Sequence, residues 1–124
     1  MNFDNFLAVM DRLLGEDGCP WDKEQTHESL RQYLLEECHE TIEAINSGDM
    51  TSLKDELGDV LLQVVFHAKL AEIAGSFTMD DVITGITDKM IRRHTHIFGD
   101  DTAQTPEEVM QLWEANKQKE RNQI

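Results

Sequence analysis

Apolar residues along this chain recur at helical spacing and almost nowhere alternate, so the pattern predicts helices and no strand. Phe3, Phe6, Leu7, Met10, Leu13 and Leu14 form the first such stripe, which Gly15 and Gly18 end. Residues 15–26 read as a loop that contains Pro20 and Trp21. A second helix is predicted from about His27 to Asn46, stopped by Ser47-Gly48, and a third from about Met50 to Ala74, stopped by Gly75. Thr78 is suited to cap a fourth, with Asp81 three residues on and Met79, Val82, Ile83, Ile86 and Met90 on its apolar side. The fifth has the fullest start signal: Thr105 as cap, Pro106 at the first helical position, and Glu108 to complete a capping box. Five amphipathic helices with short connections between the second, third and fourth predict an all-α antiparallel bundle.

Polar positions on the two longest helices break this simple picture. On a wheel of about 100° per residue, Leu30, Leu34, Cys38, Thr41 and Ile45 define one side of the second helix, broadened by Leu35 and Ile42 and, the other way, by Tyr33 and Ala44. Glu37 falls inside that arc and Glu40 at its edge, whereas Glu36 and Glu43 point outward. The third helix carries a wide apolar face of Leu53, Leu57, Val60, Leu61, Val64 and Ala71. Glu56, Asp59, Gln63 and His67 run along one flank, interrupted by Leu70 and bordered by Phe66; Lys54, Lys69 and Glu72 fall on a side suited to solvent.

Glu37/Glu40 and Glu56/Asp59 share the same i, i+3 spacing, which puts each pair on one helix face. Side by side, the two helices would gather four carboxylates, which cannot all stay ionised without a cation. Oxygen ligands of this kind suit Mg²⁺, with Mn²⁺ as a substitute. The plainer reading, a solvated acidic face, is the common fate of glutamates on helices. A di-iron centre would need two Glu-x-x-His elements, and the chain offers only Glu36 with His39, because Asp59 stands where the second histidine belongs.

Composition narrows the rest. With 124 residues the chain is expected to form one domain, residues 1–124, and 40% hydrophobic residues are enough for a core, though one small enough to gain from oligomerisation. A net charge of −14 argues against nonspecific nucleic-acid binding. No apolar run is long enough for a membrane span, and the N-terminus lacks the regions of a signal peptide, so a cytoplasmic location is expected. Cys19 and Cys38 form no metal or disulfide framework and read as free thiols.

The cations are concentrated late in the chain. Lys89 and Arg93 share a face of the fourth helix with Arg92 to one side, and Trp113 and Lys117 repeat the i, i+4 spacing on the fifth. Such groups suit phosphate oxygens and an aromatic platform, and they are equally ordinary at helix ends and in cores. His94 and His96 flank Thr95 as loop caps or phosphate contacts. Carboxylates for metal and separate cations for phosphate together suggest metal-assisted phosphoryl chemistry on a nucleotide. No Gly-x-x-x-x-Gly-Lys loop is present.

These motifs occur in a familiar order. Gly18-Cys19-Pro20-Trp21-Asp22-Lys23-Glu24-Gln25-Thr26 leads, followed by Glu36-Glu37-x-x-Glu40, Glu56-x-x-Asp59 and the run from Gly58 to Phe66. Lys89-Met90-Ile91-Arg92-Arg93-His94, Ile97-Phe98-Gly99 and Trp113-Glu114 complete the set. The chain thereby resembles the MazG family of all-α nucleoside triphosphate pyrophosphohydrolases over nearly its whole length, most closely the first of the two such domains that larger relatives carry. The resemblance implies Mg²⁺-dependent conversion of a nucleoside triphosphate to monophosphate and pyrophosphate by a homodimer or homotetramer. It implies Glu37, Glu40, Glu56 and Asp59 as metal ligands and Lys89 and Arg93 as phosphate contacts, with Arg92 beside them as a further substrate-binding candidate. Trp113 and Lys117 would belong to the nucleotide pocket, and Glu36 is the candidate to activate water. Thr95 departs from the family pattern, which has proline between the two histidines. The alternative is a noncatalytic helical module that binds nucleotide or a protein partner.

Overall fold

A computed structural model describes residues 1–122, and among them every regular element is an α-helix. There are seven: α1 (Phe3–Leu14), α2 (Pro20–Glu24), α3 (His27–Ser47), α4 (Met50–Ile73), α5 (Met79–Arg93), α6 (Thr95–Phe98) and α7 (Pro106–Asn122). The all-α expectation holds, and the count differs from five because α2 and α6 fall in stretches read as loop. Both are single short turns that hydrophobic periodicity cannot register. Pro20 at the first helical position and Asp22 in the first turn favour α2 locally.

Local chemistry fixes most helix ends. Asn2 and Asn5 cap α1 reciprocally, side chain to backbone, and Thr26 and Ser29 do the same for α3. Gly48 ends α3 with φ 74°, a left-handed turn that glycine adopts without a Cβ penalty. Asp49 follows at once and accepts from the N–H groups of Thr51 and Ser52 to start α4. For α7, Thr105 accepts from the Glu108 N–H as predicted, but the Glu108 carboxylate takes the N–H of Gln104 rather than that of Thr105.

The described chain divides into two compact units, residues 1–79 and residue 80 onward. In the first, α3 and α4 form a hairpin across Gly48-Asp49, with α1 packed on α4 and α2 on α1. The core holds Met10, Leu30, Val65, Phe66, Ala68 and Ala71. This buried arc of α4 is rotated from the predicted one. Lys69, assigned to solvent by its side of the wheel, is buried because Asp11 of α1 reaches it at 2.7 Å. Leu57, Leu61 and Val64, assigned to the apolar face, remain 52%, 40% and 39% exposed. Leu35, Ile42 and Ile45 on α3 are likewise exposed.

In the second unit, α6 packs on α7, and the buried Asn116 donates through Nδ2 to Thr95 Oγ1 at 3.0 Å. Among the described residues no helix is long and apolar enough to cross a membrane.

Candidate metal centre

The hairpin sets the register of the acidic residues. His27 meets His67 near one end, while Glu37 and Glu40 meet Glu56 and Asp59 further along, so numbers rise on one helix as they fall on the other. The i, i+3 pairs therefore face each other across an antiparallel seam. One oxygen from each of Glu37, Glu40, Glu56 and Asp59 lies within 4.8 Å of all the others.

That proximity is electrostatically unfavourable for four free anions. Like charges about 4 Å apart repel by roughly 1 kcal/mol in water and about 4 kcal/mol near a protein surface. Glu37 responds most: burial, then the charges of Asp59, Glu40 and Glu56, push its carboxyl up to about 7. Glu56 is also raised, by burial first and by Glu40 next. Glu37 Oε2 and Glu56 Oε2 are buried with no hydrogen-bond partner among the described residues. Buried carboxylate oxygens without donors are costly unless a cation meets them. Glu37 and Glu56 are half-buried, whereas Glu40 and Asp59 are exposed, so the cluster has an anchored side and an open side. An all-oxygen set with an open face fits Mg²⁺ or Mn²⁺, which keep coordination positions for water and phosphate. Among the described residues no imidazole joins the cluster, which disfavours the di-iron alternative.

Two cavities flank the carboxylates. One, about 480 Å³ and wide open, is lined by Glu40, Glu43, Ala44, Ser47, Ser52 and Glu56. The other, about 260 Å³ and more enclosed, includes Glu37, Gln63, Trp21, Tyr33 and Phe66 in its wall. Glu36 is exposed beside the cluster and not in it; its Oε1 accepts from Gln32 Nε2 at 3.4 Å.

The predicted basic residues lie in the second unit. Glu120, which sequence reasoning did not single out, takes both arginines: Arg92 Nε on Oε1 and Arg93 Nη2 on Oε2, each at 3.0 Å. The two arginines hold its carboxyl below the usual range. The Arg93 guanidinium also lies over the Trp113 ring, 4.9 Å from its centroid, and His94 meets that ring edge-on. Lys89 and Lys117 are half-buried and form no ion pair among the described residues. His94 Nδ1 donates to the Met90 carbonyl at 2.6 Å, which is the capping role; His96 Nδ1 is buried without a partner among the described residues. The sequence places Gln63 on a polar flank and Trp21 in a loop, both within motifs of the family resemblance, and assigns neither a role. The i, i+4 spacing of Asp59, Gln63 and His67 was the available signal for the first.

An all-helical fold that brings four carboxylates together from two adjacent helices defines the class, and comparison with known proteins defines the family. The MazG nucleotide pyrophosphohydrolase domain matches residues 25–98, and the chain belongs to that family. It is 49% identical over 119 residues to the nucleoside triphosphate pyrophosphohydrolase/pyrophosphatase MazG of Thermotoga maritima, covering 96% of this chain and 45% of that protein. It is 46% identical to the nucleoside triphosphate pyrophosphohydrolase of Escherichia coli K12, covering 97% and 46% respectively. An uncharacterised Bacillus subtilis protein, YabN, is 51% identical across 97% of this chain and 24% of its own length. The chain thus spans between about a quarter and half of these relatives. The crystal structure of a mazG-related protein from Thermotoga maritima superposes with a TM-score of 0.77 at 25% identity, over 93% of this chain and 98% of that one.

Proposed function

We propose that this chain hydrolyses nucleoside triphosphates to monophosphate and pyrophosphate with Mg²⁺ held by Glu37, Glu40, Glu56 and Asp59. The observation that carries the reading is the convergence of four carboxylates, two with buried and unpartnered oxygens. Bound there, the ion would neutralise phosphate oxygens and acidify a water, and Mn²⁺ would substitute. Glu36, exposed next to the cluster, is placed by this reading to take the proton of the attacking water. Lys89 and Arg93 offset charge on the departing pyrophosphate, and Arg92, Trp113 and Lys117 help hold the nucleotide. Residues 1–124 act as one functional domain in this account.

A homodimer or homotetramer is part of the same proposal. Leu35, Ile42 and Ile45 on α3 and Leu57 and Leu61 on α4 are large apolar groups left exposed, the kind of surface that an interface covers. A second copy of the hairpin would cover it.

The engagement of Arg92 and Arg93 by Glu120 favours a second reading, a noncatalytic nucleotide-binding module. Turnover by Glu40→Ala and Asp59→Ala variants separates the two. Both should fall by at least about a hundredfold, as losses of charge-stabilising groups do, with helical circular dichroism retained. Full activity in both would refute the metal assignment. Saturable Mg²⁺-dependent binding without product would favour the module.

A further inference from the structure

A further cavity, about 270 Å³ and open to solvent, is lined by residues of the second unit: Arg92 of α5, Thr95 of α6, and Asn116, Lys119 and Glu120 of α7. The three α7 residues share one helix face by their i, i+3 and i, i+4 spacing. Glu120 already holds a carboxylate against two guanidinium groups, with Arg92 Nε and Arg93 Nη2 each at 3.0 Å. Paired arginines grip oxyanions in this way. The wall has donors to spare beyond that contact. Among the described residues, Arg92 spends only Nε, and Lys119 forms no ion pair or hydrogen bond. Asn116, 7% exposed, gives one N–H of Nδ2 to Thr95 Oγ1 and keeps the other. The threonine hydroxyl accepts that bond and keeps its own proton to donate. Arg92, Arg93 and Lys119 against Glu120 leave a local excess of positive charge, in a chain whose net charge is −14. Only Arg92 is shared with the nucleotide contacts proposed above. Thr95 stands where the family resemblance leads to an expectation of proline, so the hydroxyl is a feature of this chain.

We propose that this cavity is a second anion site, built from residues that the carboxylate cluster does not use, for a phosphate dianion: inorganic phosphate or the phosphate group of a small phosphomonoester. Its oxygens accept from the Arg92 Nη groups, Lys119 Nζ, the Thr95 hydroxyl and the unspent Asn116 N–H. A fork and an ammonium group suit a tetrahedral dianion better than a single carboxylate, which cannot reach all of these donors. At about 270 Å³ the cavity falls short of the roughly 300–1,000 Å³ that whole drug-sized ligands occupy. It suits a small anion and not a nucleoside triphosphate. Glu120 is the built-in competitor: it shares Arg92 with the dianion and repels it.

The test is titration of the metal-free full chain with inorganic phosphate and with glycerol phosphate, followed by NMR of the Asn116 side-chain amide. Chloride at matched ionic strength is the control. Phosphate should give saturable shifts and chloride none. Tighter binding of glycerol phosphate would identify a phosphomonoester as the preferred form, and tighter binding of inorganic phosphate the free ion. Arg92→Gln should weaken binding about tenfold and Lys119→Glu about fivefold, while Glu120→Gln should tighten it about two- to tenfold. Lys89→Gln, which alters a proposed triphosphate contact outside this wall, should stay within about twofold of wild type. Lys119 is exposed, so its replacement leaves the fold intact and decides the matter if Arg92→Gln does not fold. Shifts that do not saturate, an equal response to chloride, or equal losses from Lys89→Gln and Lys119→Glu overturn the inference. Neither metal nor turnover enters this experiment, so its failure leaves the triphosphate reading standing, and an absence of triphosphate hydrolysis leaves this site standing.

Discussion

Asp11 Oδ1 lies 2.7 Å from Lys69 Nζ, so an ion pair joins α1 to the buried side of α4. The lysine is almost enclosed and the aspartate is mostly exposed, and Glu72 stands 3.4 Å from the same ammonium. The hydrogen bond to Asp11 is the largest influence keeping Lys69 protonated, against the effect of burial. Removing each partner should therefore have unequal consequences. Asp11→Ala leaves the buried cation only its longer contact to Glu72 and should cost about 1–3 kcal/mol. Lys69→Met replaces it with an apolar side chain of similar length and should stay within about 1 kcal/mol of wild type. Urea unfolding checks both, and the reverse order would contradict the assignment.

His27 and His67 stack nearly parallel with Nδ1 atoms 2.7 Å apart. At that distance one nitrogen must donate and the other accept, so at least one ring is neutral. Burial, then the charge of His27, lowers the pKa of His67 from its ordinary 6.5. A lowered value means that the unfolded chain binds the proton more tightly. The contribution to stability is complete above 6.5 and is lost as pH falls through that value toward the lower folded one. The difference in melting temperature between wild type and His67→Asn should thus shrink between pH 7.5 and 5, taking about 6.5 as the reference. A difference that stays flat or widens on acidification would be inconsistent with this pairing.

Thr95 stands where the family resemblance leads to an expectation of proline, and its hydroxyl accepts from the buried Asn116. Proline would suit the first position of α6. It would also leave the Asn116 amide without its acceptor. Thr95→Pro and Thr95→Val should each destabilise by about 1–2 kcal/mol for that lost bond, while Thr95→Ser should be nearly neutral. A stabilising Thr95→Pro in thermal unfolding would show that the hydroxyl does not matter.

Glu120, Arg93 and Trp113 form a connected set, with the guanidinium shared between a carboxylate and an indole. A phosphate bound by Arg93, as proposed, would compete with Glu120. Glu120→Gln should tighten tripolyphosphate binding by about two- to tenfold, in line with the 0.5–1.5 kcal/mol of a typical polar contact. Arg93→Lys keeps the charge but loses the planar fork, and should weaken binding. Fluorescence of Trp113 would follow both titrations, with Trp21→Phe as background. Weaker binding by Glu120→Gln would indicate instead that the carboxylate positions the arginine.

Much of the candidate centre was legible in the chain. Glu37 interrupts an apolar arc, and its i, i+3 partner recurs in spacing on the next helix, so one hairpin register brings all four carboxylates together. The start of α7 was legible because the Thr105 side chain caps the backbone locally. What the pattern could not show depends on distant partners. Lys69 is inside because Asp11 reaches it, and no wheel of α4 contains α1. The exposed Leu57 and Leu61 have the hydrophobicity of a core face but no cover among the described residues, which periodicity cannot distinguish from burial. Gln63 is one more polar residue on the wheel of α4, and only the fold brings Trp21 and Tyr33 to the cavity it lines.

The central claim is that the carboxylate cluster directs cleavage between the α and β phosphorus atoms. Incubation of the protein with Mg²⁺ and a panel of nucleoside triphosphates, followed by anion-exchange separation of products, tests it most directly. Monophosphate and pyrophosphate in equal amounts, absent without divalent metal and absent from Asp59→Ala, are the predicted result. Diphosphate and inorganic phosphate, or undiminished product from Asp59→Ala, would contradict it.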